Sequence, residues 1–261
     1  MSICLGLDEI IDHHLDIADV GASSPHYYHK TSCVRLSKTP LQALRIDRLL
    51  EEMLERIESN WQLSKPGPRR NPSSQNWRWC KQPDIGSANQ SSEKKLEKAI
   101  VRVMGDDWVN QVPTAAGLYD PRHDKHRNVD LAHRINPGEF ELIELKVKSN
   151  NPLMAAMESL QYAALYLFAR LHYPPDLQAA SELLSANNIH CKVLAPACYF
   201  SGYNLSWLAQ EIGDGLAIFS KDRLVDLTMD FAFTQFPPSF EWPGENAGVI
   251  PALKAITNVD W

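Results

Sequence analysis

The stretch Phe140-Glu141-Leu142-Ile143-Glu144-Leu145-Lys146-Val147 decides how this chain is read. Side chains alternate between the two faces of a strand. One face carries Glu141, Ile143, Leu145 and Val147 and turns apolar along its length. The other carries Phe140, Leu142, Glu144 and Lys146; it starts apolar and ends charged. A strand half exposed to water is polar along one whole face. A strand apolar on both faces, with Glu and Lys gathered at one end, predicts a charged pocket at the edge of a sheet.

Outward from this strand, Asn136-Pro137-Gly138 is a strong turn signal and Asn150-Asn151-Pro152 a break. Before the turn, residues 128–135 read as a strand around Val129 and Leu131, and 108–113 as a shorter one. Ser92 caps a predicted helix reaching about Met104, with Leu96, Ala99, Ile100, Val103 and Met104 inward. After the break a long helix is predicted from about Leu153 to His172, a strand over 191–200, a short helix over 205–212, and apolar runs at 215–219 and 224–233. The order helix, three strands, helix, strand implies an α/β domain with a mixed central sheet. This core spans 91–236. Ahead of it stand an N-terminal helical extension, 1–63, and a basic linker rich in Pro, Ser and Asn, 64–90. The extension holds one predicted helix, about Thr39 to Asn60, capped by Thr39. A Pro-rich tail, 237–261, is expected to wrap the surface.

Asp130 lies between Val129 and Leu131 on the strand before the turn. Strands joined by a short turn pair, which brings Asp130 towards Glu144. Two carboxylates beside a lysine fit one task. Asp130, Glu144 and the Leu145 carbonyl would hold Mg²⁺, an ion that prefers oxygen ligands. The ion would polarise a phosphate and acidify a bound water. Lys146, next to two acids, keeps its charge and offsets charge developing on the phosphate rather than acting as a base. In that role its loss should spare folding. The bland alternative is a solvated Glu144–Lys146 pair.

An acid on one strand followed by acid-any-Lys on the next resembles the PD-(D/E)XK nuclease superfamily, with its restriction-endonuclease-like core. The match is Asp130 followed by Glu144-Leu145-Lys146. The resemblance covers about residues 91–201 and implies a metal-dependent nuclease, an endonuclease in many members, that uses Mg²⁺ or Mn²⁺, favours DNA over RNA and leaves 5′-phosphates. It implies a catalytic Glu on the preceding helix, matched by Glu93 and next by Glu97. In some branches it adds a Gln-xxx-Tyr motif, matched in part by Gln161, although the tyrosines here are Tyr162 and Tyr166. Asn128-Val129 stands where the proline of the superfamily's name would be. A member that keeps the fold but only binds nucleic acid or assembles with partners is the alternative. Glu158 on the long helix reads as a surface acid.

Composition sets the wider frame. The 261 residues carry a net charge of −6. Residues 151–261 hold 5 basic and 11 acidic side chains, so the deficit lies there. Against it, 61–90 forms a basic stripe of Lys65, Arg69, Arg70, Arg78 and Lys81 with Asp84 as its one acid. Arg69, Arg70, Trp77, Arg78 and Trp79 are therefore the candidate nucleic-acid grip: cations meet phosphates while aromatics stack on bases. The equal alternative packs both tryptophans into a core. His26/His29 and His123/His126 have spacings a metal could use, yet loop histidines are usually solvated. Five scattered cysteines without a CxxC pair read as reduced thiols. With no membrane-length apolar run and no basic leader, a cytoplasmic protein is expected, working on nucleic acid as a homodimer or through a recruiting protein.

Overall fold

The computed structural model describes residues 2–17, 25–63, 72–83, 91–119, 124, 127–242 and 248–261. Its centre is a six-stranded mixed sheet in the order β1-β2-β3-β4-β5-β6. Strands β1 (Trp108–Pro113), β2 (Asn128–Asn136) and β3 (Glu139–Leu145) form an antiparallel meander. Strands β4 (Asn188–Pro196) and β5 (Thr228–Phe236) continue parallel to β3, and the short β6 (Thr257–Asn258) closes the far edge antiparallel. Parallel neighbours need crossovers, and helices supply them: α5 (Pro152–His172) joins β3 to β4, and α8 (Ser206–Arg223) lies between β4 and β5. The class is α/β, and from residue 91 the order is helix, three strands, helix, strand.

Alternation along β3 separates two apolar clusters. Phe140 and Leu142 join α5, α8, α1 (Leu7–His14), α2 (Lys30–Lys38) and α3 (Ile46–Leu63) on one side. Ile143, Leu145 and Val147 join α4 (Ser92–Val103) and α9 (Val249–Lys254) on the other. The sheet is thus covered on both faces, as parallel strands require. Two short helices, α6 (Pro175–Ala179) and α7 (Ala197–Phe200), turn the chain after α5 and β4.

Several boundaries differ from the sequence reading. Thr39 ends α2 as its C-cap instead of opening the next helix, which begins at Ile46. The cap of α4 is Ser91, whose hydroxyl accepts the Lys94 N–H at 3.2 Å, rather than Ser92. The apolar run 215–219 is not a separate element but the second half of α8. Residues 2–17 and 25–63 do not stand off as an appendage: Ile3, Leu7, Ile11, Leu50 and Ile57 are buried in the main core. Nor does the tail merely wrap, because α9 seals the second cluster and β6 adds an edge. Among the described residues no helix is long and apolar enough to cross a membrane.

Candidate active site

The site forms where β2 and β3 part. Their ladder pairs Ala132 with Leu142 and Leu131 with Ile143. One step further the ladder stops: Glu144 follows Leu142 and reaches Lys146, while Asp130 reaches Lys94 of α4. There a side chain replaces the backbone: Asp130 Oδ2 accepts the Leu145 N–H at 3.1 Å. The Lys146 N–H turns to β4 and meets the Leu194 carbonyl at 2.9 Å.

Two ammonium groups bind four carboxylates in this gap. Lys146 Nζ lies 2.6 Å from Glu144 Oε1 and 2.7 Å from Glu158 Oε2 on α5. Lys94 Nζ, on α4, lies 2.8 Å from Glu97 Oε2 and 3.0 Å from Asp130 Oδ1. Glu97 also accepts from Asn110 Nδ2 at 2.7 Å and Gln111 Nε2 at 3.1 Å. Two lysines thus serve four acids, all of them at least partly buried. The second oxygen of Glu144, Oε2, is buried and has no hydrogen-bond partner.

The electrostatics follow from this crowding. Burial, and then the Asp130 charge, push the Glu144 carboxyl well above its ordinary range, against the pull of Lys146. Burial likewise lifts Glu97 to about 7, opposed by Lys94 and helped by Asp130. For Lys146, burial works against the charged form, but Glu144, Glu158 and Asp130 outweigh it and raise the ammonium above its usual value. Tyr162, one turn beyond Glu158, is raised by burial and by the charges of Glu144, Asp130 and Glu158, so its phenol end lies beside the cluster. Lys146 is 7 % exposed and holds two acids together, which argues against the expectation that it could be removed without cost to folding.

Asp130, Glu144, Leu145 and Lys146 come together. Glu93 does not join them: its Oε1 accepts the N–H groups of Val147, Lys148 and Ser149 at 3.2, 3.2 and 3.3 Å. These bonds hold its carboxyl low in spite of partial burial. Glu97, the second match, is the helix acid next to the cluster. Gln161 lies one face over, receiving Arg127 Nη1 at 3.3 Å and donating to Tyr27 Oη at 2.9 Å. Arg69 and Arg70 lie outside the described residues, as do His123 and His126. Trp77 is removed from the nucleic-acid grip. It is wholly buried at φ 58°, packed edge-on to Tyr166 with ring centroids 5.3 Å apart, and has no face for a base. Trp79 packs on Phe140 and under Arg134, and its Nε1 donates to the Asp106 carbonyl at 3.0 Å. Arg78 turns to the Gln75 side chain. His26 and His29 have ring centroids 5.7 Å apart beside the tyrosines of the same turn.

Glu158 was read as a surface acid and is instead a partner of Lys146. Its signal was available: it is the one charged side chain of α5 before Arg170, on a helix buried from Pro152 to Ala169 apart from itself and Tyr162. Lys94 and Arg127 carried no comparable mark, since polar residues near helix and strand ends are ordinary. Among the described residues no group of three or more His, Cys, Asp or Glu is drawn together tightly enough to hold a metal ion. The strand acids each lean towards a lysine instead. The orphaned Glu144 Oε2 and the excess of acids over lysines nevertheless fit a divalent cation held by Asp130, Glu144 and the Leu145 carbonyl. Comparison with family models, curated proteins and solved structures returns no match.

Proposed function

We propose that this protein is a metal-dependent nuclease, built on a restriction-endonuclease-like core and hydrolysing phosphodiester bonds, in DNA before RNA. The observation that carries the reading is Asp130 where β2 and β3 part, its Oδ2 accepting the Leu145 N–H at 3.1 Å, next to a Glu144 whose Oε2 is buried without a partner. The element order from α4 to β4 supports the same core.

In this reading Asp130, Glu144 and the Leu145 carbonyl hold Mg²⁺ or Mn²⁺. Such an ion, when bound, supplies Lewis acidity at the phosphate and lowers the pKa of a bound water. The residues of the chain do the rest. Glu144 and Glu158 keep Lys146 protonated, so it cannot take a proton from water near neutral pH. Its ammonium stabilises charge growing on the phosphate oxygens, in a site dry enough for that interaction to count. Glu158 aims Lys146, and Lys94 holds Asp130 in place.

Matched single-stranded DNA, duplex DNA and RNA, incubated with the full chain and Mg²⁺, should be cut only with metal present. Glu144→Gln is the clean variant, because it removes a charge that burial disfavours. It should fold at least as well as the parent, lose Mn²⁺ binding, and lower kcat/KM by about 100- to 1000-fold. No metal-dependent cleavage of any of the three substrates would overturn the reading. The alternative, a binding or assembly module on the same fold, is favoured by the Lys94 contact that occupies Asp130. Mn²⁺ binding without cleavage would support it.

A further inference from the structure

One wall of the site is built by a segment remote in sequence. Asp12 fixes the turn His26–Tyr28, its carboxylate accepting the N–H groups of His26 at 2.6 Å and Tyr27 at 2.9 Å. Asn151, the N-cap of α5, donates Nδ2 to the Tyr28 carbonyl at 2.9 Å. The buried Tyr27 donates its hydroxyl to Asp8 at 2.6 Å and accepts from Gln161. Gln161 in turn receives Arg127. The turn is therefore wired to α5 three residues after Glu158, about 4.5 Å along the helix axis.

Packing leaves two features of this wall unexplained. Arg127 brings five N–H donors into a half-buried position. Among the described residues its guanidinium makes one hydrogen bond, at 3.3 Å to Gln161, and no ion pair. Tyr28 is 39 % exposed, and among the described residues it is the one exposed Phe, Tyr or Trp. Its ring meets Tyr27 edge-on, with centroids 4.7 Å apart. Burial and the Asp8 charge raise its phenol, and the Glu158 and Arg127 charges reach it too. A guanidinium with one hydrogen bond among the described residues, partly offset by the Asp8 and Asp124 charges, and an exposed ring within reach of the Glu158 charge thus lie on the same side of α5.

We propose that Arg127 and Tyr28 form a nucleotide subsite in which the guanidinium takes a phosphate flanking the scissile one and the Tyr28 ring stacks on an unpaired base, making the substrate single-stranded nucleic acid. The inference rests on the nuclease reading of the neighbouring cluster. A guanidinium matches two phosphate oxygens at once. Bases inside a duplex already have both faces stacked, so only an unpaired base offers a face to tyrosine. The charge of the protein agrees. At −6, and with Trp77 buried, the chain has a weak basis for gripping a duplex by phosphates alone, whereas a few cations combined with stacking suffice for a single strand.

The test is fluorescence anisotropy of the full chain with a labelled oligothymidylate of about 12 nucleotides and a duplex of the same length, in EDTA so that nothing is cut. Tyr28→Ala should weaken single-strand binding about tenfold and leave duplex binding unchanged, while Tyr28→Phe stays near the parent. Arg127→Met should lower the salt slope by about 0.7. Arg127→Lys keeps the charge without the fork and should keep the slope while losing affinity, which guards against an Arg127→Met chain that does not fold. Parental single-strand affinity in Tyr28→Ala, or a parent that prefers duplex, overturns the subsite. Cleavage by the parent is scored separately. A parent that binds single strands through Tyr28 without cutting removes the nuclease reading alone. A parent that cuts as well as its Tyr28→Ala variant removes the subsite alone.

Discussion

Glu97 shows how far burial can outweigh hydrogen bonds. Its carboxylate is 1 % exposed and accepts from Lys94, Asn110 and Gln111, yet it titrates at about 7 instead of 4.5. A carboxyl whose pKa rises on folding stabilises the folded state below its unfolded pKa, and that contribution is lost as pH climbs through the folded value. Without metal, stability should therefore fall by about 1–3 kcal/mol between about pH 4.5 and 8. Glu97→Gln should flatten that dependence, read as urea midpoints across the range. An equal slope in parent and variant would assign the titration to another group. The same residue marks what sequence could and could not show. Glu144 and Lys146 were legible because strand alternation alone sets them on one face. The partners that tune them, Lys94, Glu97 and Glu158, arrive from two helices on opposite sides of the sheet. Pattern along one element does not report which side chains meet between elements.

Helices and strands repeat that contrast. β1, β2 and α5 were readable almost to the residue, since turn signals and long apolar periodicity bound them. α1 was missed because its buried stripe, Leu7 and Ile11, spans a single helical repeat among charges. Glu93 was matched to the catalytic helix acid because its spacing to Leu96 and Ile100 turns it inward. Inward, however, it meets the exposed backbone of residues 147–149 and stitches α4 to the loop that leaves β3. Three N–H groups sharing one carboxylate make that loop depend on α4. Glu93→Ala should cost about 1–3 kcal/mol and speed amide exchange at Val147, Lys148 and Ser149, while Glu93→Gln recovers much of the loss. Unchanged exchange at those three amides would mean that the loop holds itself.

On the scale of the whole molecule, the N-terminal third is structural. Helix α3 lies against both α5 and α8, so closely that a Cβ at Gly215 would come 2.5 Å from that of Ile46. Asn60 donates to the carbonyls of Ile3 and Leu5, and Asp124 holds the chain start through Ser2 and Ile3. A chain lacking residues 1–63 should lose cooperative unfolding and bind hydrophobic dyes, where the full chain melts in one transition. A truncated chain with a sharp transition would restore the picture of a separable extension. The paired lysines of the site also bear on how such a sequence can drift. With each ammonium group holding two acids together, loss of either lysine leaves a pair of carboxylates facing each other without a cation. Descendants of this sequence should therefore exchange Lys94 together with Glu97, and Lys146 together with Glu158, so that inheritance at these positions runs in couples and single replacements are rapidly purged.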